Sequence, residues 1–145
     1  MDWGFELMLV SRVGLAALLG AAVGWEREVH DSPAGLRTYM MVTMGAALFA
    51  LVSLHAGPNA PTQLAAAVPT GVGFLGAGMI LRGEKGISGL TTAASVWGMA
   101  AVGLAIGYGM LLIAVLSALL ILGVFLLRYW SKSLMHAGHA CREPE

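Results

Sequence analysis

Thr70–Gly78 reads T-G-V-G-F-L-G-A-G, with Pro69 before it and Arg82 shortly after. Gly71, Gly73, Gly76 and Gly78 interrupt a run that is otherwise apolar. In water each such glycine costs a helix interior about 1 kcal/mol relative to alanine. In a bilayer the same glycines let neighbouring helices press against bare backbone. The stretch therefore predicts a close-packing seam in a membrane helix, approached by the first and fourth spans. Gly71, Gly73 and Gly76 also spell G-x-G-x-x-G, the dinucleotide fingerprint. That fingerprint needs a strand before it, a helix after it and an acid about 20 residues on. Leu64–Val68 is short and alanine-rich, and Leu90–Trp97 holds no acid, so the nucleotide reading is set aside.

The composition supports a membrane setting. Of 145 residues, 58% are hydrophobic and 11% charged, against about 25% charged in a soluble domain. Mean hydropathy is +0.80. Net charge is zero, which leaves no basic footprint for nucleic acid. The single cysteine, Cys141, excludes an internal disulfide and a multi-cysteine zinc site. Met1–Leu9 has no basic start and carries Asp2 and Glu6, so no cleavable signal is expected.

Working outward from the glycine stretch, five spans emerge: Trp3–Trp25, Thr38–Ala56, Leu64–Leu81, Leu90–Gly107 and Met110–Leu127. About 20 residues cross the hydrocarbon core. The expected fold is all-α, a five-helix transmembrane bundle over residues 1–130. Its third span is glycine-rich and open to being broken or re-entrant. Residues 131–145 form a polar tail with no ordered structure expected. Gly20 with Gly24, and Gly103 with Gly107, repeat the G-x-x-x-G spacing of close helix packing. Glu26–Arg37 is read as the first loop, Gly57–Pro61 as a rigid turn and Arg82–Gly86 as a short charged loop. Basic residues set the orientation. Arg27, Arg37, Arg82, Lys85, Arg128, Lys132 and Arg142 all fall on one side, and the other loops have no Lys or Arg. The N-terminus is therefore expected outside and the C-terminus in the cytoplasm.

Five blocks now carry a resemblance: G-W-E-R-E (Gly24–Glu28), P-A-G-L-R-T-Y-M (Pro33–Met40), M-G-A-A-L-F (Met44–Phe49), G-V-G-F-L-G-A-G-M-I-L (Gly71–Leu81) and G-L-T-T-A-A-S-V-W (Gly89–Trp97). In order and spacing they resemble the MgtC/SapB family of bacterial inner-membrane proteins. The resemblance implies a five-span inner-membrane domain. It also implies a role in growth at low magnesium and, in pathogens, in survival inside host cells. Many members carry a soluble C-terminal domain after the fifth span, which the 18 residues after Leu127 do not supply. Family members often have an Asp, an Arg and a Gln before the glycine block, where Ala60, Gln63 and Ala67 stand here. Pro69 and Thr70 replace what is often a Val-Ser pair. The resemblance implies no function that depends on those polar groups.

The polar residues each have two readings. Arg12 lies within the first span, where a charge is expensive; it either serves function or snorkels outward. Glu26, Arg27, Glu28 and Arg37 cluster at the cytoplasmic face. They read as a charge-paired staple for the first loop, or as a carboxylate site for Mg²⁺ in which Glu26, Glu28 and Asp31 are weak ligand candidates. Arg27 between the acids favours the staple. Gly35, Gly89, Thr91, Thr92 and Trp97 match family blocks. Thr91 and Ser95 share a helical face, and their hydroxyls bond either their own helix or the glycine segment. His136, His139 and Cys141 are a weak metal candidate.

No activated nucleophile appears, so an enzyme is not expected and no cofactor is implied. The leading reading is an inner-membrane protein that serves adaptation to low magnesium or stress by acting on a membrane partner. The expected partners are the bilayer and other inner-membrane proteins or a second copy, with Mg²⁺ a candidate ligand. The alternative is an ion transporter or channel for Mg²⁺ or a monovalent cation.

Overall fold

A computed structural model describes residues 3–56, 62–83 and 86–139, with side chains over 3–56, 62–80 and 87–127. The order is α1 (Trp3–Val29), α2 (Leu36–Ala56), α3 (Gln63–Ala66), α4 (Val68–Met79), β1 (Leu81–Gly83), β2 (Gly86–Ser88), α5 (Leu90–Gly107) and α6 (Leu111–His139). The protein is all-α apart from the antiparallel β1–β2 ribbon, in which Arg82 pairs with Ile87. By length and composition α1, α2 and α5 are long and apolar enough to cross a membrane, while Gln63–Met79 and Leu111–Leu127 are shorter apolar segments.

Several boundaries differ from those read in the sequence. α1 runs on to Val29, so Glu26, Arg27 and Glu28 occupy its last turn and not a loop. The helix stops where Asp31 takes a positive φ of 50° and Pro33 follows. The third span is interrupted at Ala67 and resumes in α4 with Pro69 in its first turn. Proline has no N–H for the preceding turn but suits a helix start. α6 keeps a helical backbone to His139, into the stretch expected to be an unordered tail. Cys141 lies outside the described residues, as do the side chains of His136 and His139.

α2 is the central helix. Its small residues present Thr43, Ala46, Ala47 and Ala50 to α5, and bare glycines answer them. A Cβ at Gly107 would lie 2.5 Å from the Ala50 Cβ, and one at Gly103 would lie 2.9 Å from the Ala46 Cβ. On the other flank, a Cβ at Gly20 would lie 2.7 Å from the Tyr39 carbonyl oxygen. One at Gly24 would lie 2.7 Å from the Leu36 Cα. Both G-x-x-x-G pairs thus face α2, and dispersion between backbones replaces large side chains. The buried core runs through Ala16, Val23, Tyr39, Ala47, Val96, Met99 and Ile106.

The seam expected on Thr70–Gly78 is not where the chain packs. A Cβ at Gly71, Gly73 or Gly78 would meet nothing within 4 Å. Gly76 alone of the four is buried, and its Cβ would reach the Ala93 Cβ at an ordinary 3.6 Å. The reason is rotational. α4 lies on α5 through Val68, Val72 and Gly76, a three-to-four-residue stripe. That spacing turns the other glycines outward, beside the exposed Phe74 and Leu75.

Candidate functional site

The polar side chains gather at the end of the bundle where α1 finishes and α2 and α5 begin. Arg27 is only 4% exposed, yet it is charged. Its guanidinium pairs with the Glu26 carboxylate through Nε and, at 2.7 Å, through Nη2. Its Cζ also sits 3.7 Å from the centre of the Phe125 ring on α6. A buried arginine needs both a counter-charge and filled contacts. Here one residue supplies the charge and a different helix supplies the ring. His30, on the exposed side, brings Nδ1 within 2.8 Å of the Glu26 carbonyl oxygen and 3.3 Å of the carboxylate. Because a carbonyl only accepts, Nδ1 carries the proton in that bond.

Glu28 has a separate task. Its Oε2 accepts from the Leu36 backbone N–H at 2.7 Å, across the turn between α1 and α2. A carboxylate there satisfies an otherwise unbonded donor and complements the positive end of α2. Gly35 makes room for it, since a Cβ at Gly35 would lie 2.6 Å from the same oxygen. Asp31 and Arg37 are exposed.

Deeper in, three elements share a hydroxyl cluster. Ser95 Oγ donates to the Thr92 carbonyl oxygen at 2.8 Å. Its one proton is thereby used, so the Tyr39 hydroxyl, 2.5 Å away, is the donor to Ser95. Thr92 Oγ1 meets Ser32 Oγ at 3.1 Å, linking the α1–α2 turn to α5. Thr43 Oγ1 donates to the Tyr39 carbonyl oxygen at 2.8 Å. Among the described residues no buried side-chain nitrogen or oxygen lacks a partner. Gly89 opens α5 with φ of 82°, directly against the Met79 carbonyl, so a side chain there meets both strain and backbone. Thr91 is exposed, and Trp97 is 52% exposed.

Arg12 stands apart, near the opposite end. Its Nη1 donates to the Gly107 carbonyl oxygen at 3.0 Å. The last carbonyls of a helix have no partner within it, and they form its negative end. Arg12 therefore caps α5 from α1.

Among the described residues no three His, Cys, Asp or Glu side chains gather to hold a metal. Glu26, Glu28 and Asp31 are accordingly not brought together as a ligand set. Glu26 turns to Arg27 and His30, while Glu28 turns to the Leu36 N–H. Sequence reasoning missed Tyr39 and Phe125. A tyrosine early in an otherwise aliphatic span was the available signal for the first. Nothing local marks Phe125, whose role comes from α6 lying against Arg27.

Comparison with known proteins agrees with these blocks. The chain is 43% identical over 129 residues to a protein of Escherichia coli K12 named "Putative magnesium transporter YhiD", covering 80% of this chain and 60% of that one. It is 43% identical over 107 residues to "Protein MgtC" of Salmonella typhimurium, covering 74% and 46%. It is 37% identical over 132 residues to "Protein SapB" of Bacillus subtilis, covering 84% and 57%. The chain thus spans about half to three-fifths of these relatives' lengths. No solved structure matches it. The MgtC family profile matches residues 13–133, and the chain belongs to the MgtC family.

Proposed function

We propose that this multi-pass membrane protein is non-enzymatic and serves adaptation to low magnesium or stress by acting on a membrane partner. In a pathogen that role would extend to virulence. The observation that carries the reading is the outward glycine face of α4. Gly71 and Gly78, seven residues apart on one side of α4, would have open space around a Cβ. Gly71 and Val72 also line an apolar groove of about 370 Å³ between α2 and α4, with Met41, Gly45 and Phe49 opposite. Bare backbone beside an apolar groove suits a second transmembrane helix, which gains dispersion and weak backbone contacts there. The partner is another inner-membrane protein or a second copy.

Charge distribution supports an N-terminus outside and a C-terminus in the cytoplasm, which puts Arg27, Glu28 and the hydroxyl cluster at the cytoplasmic end. There Glu26, Arg27 and Phe125 act as a staple for α1 and α6.

The test compares wild type with Gly78→Leu, which fills open space on the Gly71 side of α4 and should leave folding intact. A deletion strain carrying Gly78→Leu is expected to grow as poorly at low Mg²⁺ as the empty deletion. A photo-crosslinker at Phe74 should capture a membrane protein in wild type only. Normal growth of the deletion strain in low magnesium would refute the reading.

The second reading is a transporter for Mg²⁺ or a monovalent cation. It is favoured by the name of the Escherichia coli relative. It predicts Mg²⁺, Na⁺, K⁺ or H⁺ flux in liposomes. Among the described residues, the acid within the first span lies at its end, at Glu6.

A further inference from the structure

The depth of Arg12 points to a ligand. Arg12 and Arg27 are fifteen residues apart on α1, which is about 22 Å along a helix. The Arg12–Gly107 bond places the α5–α6 turn, Tyr108 and Gly109, at that same level. α1 does not stop there. It continues nine residues to Trp3, about 13 Å further. α2 accompanies it, since the Phe5 and His55 rings lie 5.8 Å apart. The bundle therefore has a step, with α5 and α6 forming its floor and α1 and α2 its wall.

The wall is apolar. Phe5 and Met8, on the Arg12 side of α1, are 44% and 42% exposed, so they belong in hydrocarbon. A core of about 30 Å measured from the Arg27 level ends roughly 8 Å beyond Arg12. The guanidinium thus lies below the surface of the leaflet that holds the start of α1. Among the described residues it has no carboxylate partner, and one N–H is used on Gly107. Of its five donors, others remain for a ligand. Gly109, at φ of 84°, has no Cβ to block them; one would lie 3.1 Å from Nη2. Glu6, the next acid along α1, is six residues away, about 9 Å, and on a different side of the helix.

We infer that Arg12 binds the phosphate of a phospholipid drawn down onto the α5–α6 step. A phospholipid brings the anion that a guanidinium below the leaflet surface needs, in the fork geometry it prefers. Its acyl chains cover the exposed wall at the same time. A free inorganic anion would leave that apolar wall bare. Bending the leaflet toward a short bundle costs fractions of a kcal/mol per Å, which the charge-assisted bonds offset.

The test uses the full chain in detergent, delipidated and titrated with phosphatidylglycerol or with diacylglycerol of the same chains, and read by native mass spectrometry. Wild type and Arg12→Lys should each retain one phosphatidylglycerol, and Arg12→Gln should bind it about tenfold more weakly. Diacylglycerol should be retained no better than by Arg12→Gln. Equal retention of phosphatidylglycerol by wild type and folded Arg12→Gln would overturn the site. So would equal retention of the two lipids by wild type, a result that stands even if Arg12→Gln does not fold. Displacement by millimolar inorganic phosphate would assign the site to a free anion and also overturn it.

Discussion

Hydrogen-bond direction makes single-residue predictions asymmetric. Tyr39 donates to Ser95, and Ser95 has already spent its proton on the Thr92 carbonyl. Tyr39→Phe removes one bond and strands no donor, so a cost of about 0.5–1.5 kcal/mol is expected. Ser95→Ala leaves the buried tyrosine hydroxyl without its acceptor, so about 1–3 kcal/mol is expected. Unfolding in mixed detergent should rank the two, and Tyr39→Phe added to Ser95→Ala should recover part of the loss. The same unfolding measurement should show a loss of about 1 kcal/mol for Glu28→Ala, which uncaps α2. Glu28→Gln retains an acceptor and should lose less.

Between elements, the glycines divide into two classes that no local pattern separates. At Gly103 an added methyl would run into the Thr43 carbonyl and the Ala46 side chain. At Gly71 it would meet open space. Gly103→Ala should therefore destabilise the protein by several kcal/mol or prevent folding, since backbone on both helices must move. Gly71→Ala should stabilise it by about 0.5–1 kcal/mol through helix propensity. Thermal melting of the two proteins should show opposite signs. A partner seated on α4 would reverse the benefit of Gly71→Ala in cells and leave it intact in detergent.

The whole molecule is held by α2 at its centre, with α6 more loosely attached at the rim. α6 meets α1 through the Arg27–Phe125 contact, and its leucines 112, 120 and 127 are largely exposed. Arg27→Ala removes that contact and leaves the shielded Glu26 carboxylate with His30 as its remaining neighbour, so a loss of about 3 kcal/mol is expected. Hydrogen exchange should rise first along α6 and only later in α2. Orientation is a property of the same scale. With Cys141 replaced by serine, a cysteine at His30 should be labelled only from the cytoplasmic side and one at Gln63 only from outside.

Much of the architecture was legible because hydropathy and glycine spacing are local quantities. The apolar runs locate the helices, and α5 falls on the expected residues 90–107. The family blocks follow from order and spacing alone. Helix rotation is different, because it depends on which stripe each neighbour can bury. That choice put Gly20, Gly24, Gly103 and Gly107 inside the bundle and turned Gly71, Gly73 and Gly78 out of it. It also took Arg12 from a lone charge in an apolar span to the end of α5. Hydropathy and composition alone send the chain into a membrane as small-residue helices, since transfer of apolar surface needs no tertiary partner. Which glycines are seam and which are surface follows from helix packing, because a glycine's role is set by what lies across from it.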